Sequence, residues 1–158
     1  MANSILKQHL LNLLSFEGAH VGFDDVVRGL APALRGEKIK GSPHTIWDLV
    51  EHMRIAQWDI LEFSRHAKHV SPKFPEGYWP KPNTAPSDAG WKKSLAGFRH
   101  DLQEMKKLVE EADEEKLYAP IEHGDGQTLL REALLVADHN AYHLGQVMLL
   151  RKMLGAWK

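Results

Sequence analysis

Two histidines four residues apart, His139 and His143, interrupt an otherwise largely apolar stretch, ADHNAYHLGQVMLLRKML, residues 137–154. On a helix, positions i and i+4 share one face about 6 Å apart along the axis, so both imidazoles can reach one metal ion. Spacing alone says little, because ten histidines in 158 residues would give roughly 0.6 such pairs by chance. The surroundings say more. On a helical wheel the pair lies with Val136, Val147, Leu150 and Leu154, which predicts burial. A buried polar group without a partner costs about 1–3 kcal/mol. Two arrangements avoid that cost: a shared cation, or a hydrogen-bonded pair within the core.

A metal needs a further ligand. His52 lies in WDLVEHMRIAQWD, beside Ala56 and Phe63 at the edge of an apolar stripe. Such a position suits a half-exposed surface histidine. It equally suits a ligand facing a cleft, since helical bundles build metal sites from opposed helices. Three imidazoles would leave coordination positions open to water or substrate.

Other polar residues near the pair are candidates to support it. Glu132 lies two turns before His139 on the same face, and Gln146 one turn after His143; either can accept the second ring N–H of a ligand histidine. The plainer alternative for Gln146 is packing between helices, with Gly145 allowing a close helix approach. His20, in GAHVGFDD, is a candidate pocket-lining residue. His9 and His100 read as helix-surface residues, His44 and His123 as loop residues, and His66 and His69 as helix-end residues suited to the dipole. Asp48 and Glu51 read as capping or solvated, Asp138 and Asn140 as bridges to neighbouring helices, and Trp47, Trp58, Trp79 and Trp91 as core.

The elements that must position these residues are helices. Ile5, Leu6, Leu10, Leu13 and Leu14 give helical spacing from Asn3 to about Phe16, and a short helix is expected over Asp24 to Leu30. The Pro- and Gly-rich stretch 31–44 reads as loop. Thr45, with Asp48 three residues on, caps a second long helix through about His66. Residues 71–88 carry five prolines and read as a long loop, whose Phe74, Tyr78 and Trp79 imply that it packs on something. A third long helix is expected from about Asp88 to Ala112, and a fourth, capped by Thr128, to about Leu154. No segment shows strand alternation. The expected fold is all-α: four long helices in a bundle with one short extra helix.

Composition narrows the function. A net charge of −1 gives no electrostatic case for nucleic acid or an acidic membrane surface. No cysteine means no disulfide, no thiolate ligand and no cysteine nucleophile. There is no phosphate-binding loop, dinucleotide fingerprint or serine-nucleophile motif. Lys7, Gln8 and His9 interrupt the first apolar run, so no signal peptide is read there, and no apolar run is long enough to span a membrane; a cytoplasmic protein is expected.

The two histidine-bearing stretches, TIWDLVEHMRIAQWDIL (45–61) and LLVADHNAYHLGQVMLLRKMLGAW (134–157), resemble the DinB/YfiT-like metalloenzyme family, and the likeness extends over nearly the whole chain. The family pattern is one histidine on the second long helix and an H-x-x-x-H pair on the fourth, followed by G-Q. The resemblance thus implies His52, His139 and His143 as ligands, with Gly145 and Gln146 as the G-Q. It implies a four-helix bundle of up-down-down-up connectivity and a divalent transition metal: zinc, nickel, cobalt or manganese. It further implies chemistry on a small molecule, either thiol-dependent transfer using a low-molecular-weight thiol or hydrolysis, and a possible homodimer. A non-catalytic metal- or small-molecule-binding stress-response module is the alternative.

Overall fold

The first element of the computed structural model, which describes residues 5–157, is helix α1, Ile5–Leu14. The expected start at Asn3 lies outside the described residues. Helices α2 (Phe23–Val27), α3 (Pro32–Arg35), α4 (Ile46–Arg65), α5 (Asp88–Glu111), α6 (Glu114–Tyr118) and α7 (Leu129–Met153) follow. The fold is all-α; among the described residues the only strand-like pairing is an isolated bridge between Pro120 and Thr128.

The long helices begin where side-chain oxygens replace missing backbone partners. Thr45 Oγ1 accepts from the Asp48 amide at 3.1 Å, and Asp48 returns the bond to the Thr45 amide at 2.8 Å. Ser87 caps α5 and Thr128 caps α7 in the same way, each cap contributing about 1 kcal/mol. Arg151 and Lys152 in the last turn of α7 complement its dipole. Two short helices depart from the sequence expectation. Pro at its first position lets α3 form a single turn within the predicted loop, and Asp113 caps α6, whose one and a half turns are too short for periodicity to show.

Helices α5 and α7 each pack against both α1 and α4. The apolar interior divides in two. One part gathers Phe23, Trp47, Trp91, Phe98 and Leu144, with Phe23 stacked on Phe98 at 3.7 Å. The other gathers Leu10, Leu14, Leu61, Met105 and Leu117. Between the residues that α4 and α7 give to each part lie Gln57 and Asn140. Asn140 Nδ2 donates to Gln57 Oε1 at 2.8 Å, and Gln57 Nε2 donates to the Phe98 carbonyl at 2.7 Å. This buried chain ties α7 to α4 and α4 to α5, the bridging expected of Asn140.

The long connection 66–87 folds over α4. Gly77 lies so close to Pro72 that an added Cβ would sit 2.6 Å from the proline Cβ, so this bend admits only glycine without rearrangement. A 3₁₀ turn, Glu76–Tyr78, then brings Tyr78 and Trp79 against the helix. Phe74, expected to pack like its aromatic neighbours, is 74% exposed.

Candidate metal centre

His52 comes from α4, and His139 and His143 from α7. A ring nitrogen of each lies within 4.8 Å of the other two. His52 and His143 are buried and His139 is half-buried. His52 is therefore not the surface histidine that an edge position allows; the loop bearing Tyr78 and Trp79 closes over it, a contact no helical wheel displays.

Hydrogen bonds fix how these rings present their nitrogens. His52 Nδ1 lies 2.8 Å from the Tyr78 carbonyl oxygen. A carbonyl only accepts, so Nδ1 carries the proton and Nε2 keeps its lone pair. His143 Nδ1 lies 2.7 Å from Gln146 Oε1, and the same logic leaves His143 Nε2 with a lone pair. His52 Nε2 and His139 Nε2 stand 3.0 Å apart. Three nitrogens around one zinc-sized ion, at bond lengths of about 2.0–2.1 Å, lie on the order of 3.3 Å apart. The rings are thus placed for a common ion after small side-chain shifts.

Electrostatics agree with that role. Burial, followed by the charges that His143 and His52 would carry, pushes His139 down to about 3. Burial also lowers His52, against the opposing hydrogen bond to Tyr78, and lowers His143, against the opposing bond to Gln146. All three rings are neutral at pH 7, the form that ligates. The donor set contains no carboxylate. A divalent ion here would keep its full charge and favour an anionic fourth ligand.

An aromatic wall flanks the cluster. Trp79 stacks on His52 at 3.9 Å and 3°. Its other neighbour is His44, stacked at 4.2 Å and 9°. Tyr142, 64% exposed, meets His143 edge-on at 4.9 Å. Helical periodicity assigns none of these three to the site, and His44 and Trp79 read from sequence as loop surface and core. For Trp79 the available signal was the cluster of aromatics in a proline-rich loop too long to be a mere connector.

The other candidates lie elsewhere. Glu132 is buried, but its carboxylate pairs with Arg131 at 2.6 Å and, among the described residues, shares no hydrogen bond with the histidines. His20 is exposed and meets the carbonyl of Val21 at 2.9 Å, with no ring contact to the cluster. Gly145 admits no close approach within the chain, since a Cβ there would meet nothing within 4 Å. Asp48 caps α4 as expected. Glu51 is neither a cap nor solvated: it accepts from Arg54 at 2.6 Å and Ser94 at 2.6 Å.

Compared with curated proteins and with solved structures, the chain matches none. A family model does match, over residues 15–147, a span that holds all three histidines and the Tyr78, Trp79 and Gln146 that contact them. The chain belongs to the DinB superfamily.

Proposed function

We propose that this protein is a divalent-metal-dependent enzyme acting on a small molecule, with His52, His139 and His143 as ligands to zinc, nickel, cobalt or manganese. The observation that carries the reading is the paired tautomer control. Tyr78 and Gln146 each occupy an Nδ1–H and thereby leave an Nε2 lone pair on His52 and on His143. Packing alone requires no such agreement between two rings on different helices. A divalent ion at this site supplies Lewis-acid chemistry and lowers the pKa of a water or thiol at an open coordination position, toward about 7 for water on zinc. The chain's own residues hold the three rings neutral, orient two of them and screen one face with Trp79. A low-molecular-weight thiol suits the site as substrate, because a thiolate offsets the charge that three neutral ligands leave. Water in that position would serve hydrolysis instead.

One observation favours a second, non-catalytic reading. Among the described residues no carboxylate joins the histidine cluster, so no general base with a clear role stands in it. On that reading the protein is a metal- or small-molecule-binding module.

Elemental analysis of protein purified without a metal-affinity tag tests the metal. Close to one equivalent of a transition metal, present or taken up on titration, is expected. Less than about a tenth of an equivalent with no uptake overturns the reading. A screen of thiol–electrophile transfer and hydrolysis, compared between the protein and His139→Ala, then separates enzyme from module.

A further inference from the structure

Asp59 stands seven residues after His52 on α4, two turns along the same face and about 10 Å further down the axis. It is 8% exposed, and both its oxygens are used. Oδ2 accepts from the Tyr78 hydroxyl at 2.5 Å, and Oδ1 lies 2.7 Å from His69 Nε2. His69 is held in turn by the edge of Trp58, ring centres 5.2 Å apart. Tyr78 therefore spans two turns of α4. Its hydroxyl is fixed at Asp59, and its carbonyl takes the Nδ1–H of His52 at 2.8 Å. The next residue, Trp79, covers the face of the same imidazole.

We propose that Asp59 is a positioning residue for His52, acting through Tyr78: by anchoring the tyrosine hydroxyl it sets the carbonyl that selects the Nδ1–H form and aims Nε2 at His139 and His143. The metal significance of this clamp rests on the three-histidine reading above; the clamp itself does not. One oxygen of Asp59 pins the start of the loop through His69. The other holds the residue whose backbone binds a candidate ligand. Acceptors that take the far ring N–H of a ligand imidazole are typically worth about 10- to 100-fold in metal affinity, and here the acceptor is a backbone carbonyl that no substitution removes. The anchor of that carbonyl is where a side chain can act. Further along the loop a control is available, because Lys38 contacts Asn83 there and neither residue takes part in the Asp59–Tyr78–His52 chain.

The test uses Tyr78→Phe, which removes only the hydroxyl, and Asp59→Asn, which keeps the shape and removes the charge. Lys38→Ala serves as the control. The first readout is the tautomer of His52 in metal-free protein, from long-range proton–nitrogen correlation spectra of the imidazoles. The second is the zinc dissociation constant, from competition with a chromophoric chelator. Wild type and Lys38→Ala should show His52 in the Nδ1–H form alone. Tyr78→Phe and Asp59→Asn should show a mixture of tautomers and bind zinc about 10-fold more weakly or worse, with helical circular dichroism retained. A single Nδ1–H form in both variants, or the same mixing in Lys38→Ala, overturns the proposal. Wild-type protein that takes up none of zinc, nickel, cobalt or manganese overturns the metal reading, while the tautomer readout still decides the clamp.

Discussion

His52 and His139 face each other Nε2 to Nε2 across 3.0 Å. The proton of His52 is committed to Tyr78, so in the metal-free protein the hydrogen between these atoms belongs to His139. A metal held by Nε2 of both rings would replace that hydrogen bond, with the His139 proton moving to Nδ1. No other bond that the cluster makes has to break.

Metal should therefore stabilise the fold. At free zinc of 100 times the dissociation constant, stabilisation is about 2.7 kcal/mol. For a chain of this size that corresponds to a rise in melting temperature of roughly 5–10 °C. His143→Ala should abolish the rise while leaving the metal-free protein folded. Thermal melts with zinc and with a chelator check both. Equal melting temperatures of the wild type in the two conditions would contradict a site built for a metal.

Gln146 accepts from His143 at 2.7 Å, and a leucine there would keep the approximate volume without the acceptor. Gln146→Leu should weaken zinc binding about 10-fold, whereas Gln146→Glu, which keeps an acceptor and adds a negative charge, should hold or tighten it. Isothermal titration compares the three proteins. An unchanged dissociation constant in Gln146→Leu would leave Gln146 as a packing residue.

How much of this was legible in the sequence depends on the range of the interaction. The caps Thr45 and Thr128 follow from local hydrogen bonding and the long helices from the 3.6-residue period, so α4, α5 and α7 end within a residue or two of their predicted bounds. The His139–His143 pair and the Gln146 contact are local to one helix and readable for the same reason. The meeting of His52 with that pair is an 87-residue contact between helices. Its sequence signal was two apolar faces that had to oppose, together with the family likeness. The parts contributed by Tyr78 and Trp79, and by His44, depend on the paths of two irregular loops, which no periodicity encodes. Glu132 shows the converse. It has the right spacing from His139, but a nearer cation, Arg131, takes its carboxylate.

Acid should destabilise the metal-free protein from near pH 6.5 downward. Unfolded histidine binds its proton near pH 6.5, while the folded protein holds His139 at about 3 and lowers His52 and His143 as well. Between those values the unfolded state carries more protons, so stability falls as pH falls. The slope is up to about 1.4 kcal/mol per pH unit for each such histidine, and above the unfolded value it vanishes. Urea midpoints of chelator-treated protein at pH 7, 6 and 5 measure it. His139→Leu should lose part of the slope; identical slopes in the variant and the wild type would show that His139 titrates as an exposed residue.

Gln57 is 1% exposed and Asn140 is 1% exposed. Gln57 accepts from Asn140 Nδ2 and donates to the Phe98 carbonyl, so one side chain joins three helices. Gln57→Leu would fit the space but leave the Asn140 amide group buried without its acceptor, at a cost of about 1–3 kcal/mol. The double change Gln57→Leu with Asn140→Leu removes both partners and replaces them with apolar atoms, so it should recover much of that loss. Neither side chain hydrogen-bonds a histidine. Zinc affinity should accordingly stay near the wild-type value in both proteins while urea midpoints drop in the single variant and rise again in the double. A single variant as stable as wild type would mean that Asn140 finds another acceptor. A large loss of zinc affinity at unchanged stability would instead place the Gln57–Asn140 bond among the contacts that hold α4 and α7 at the spacing the three imidazoles need.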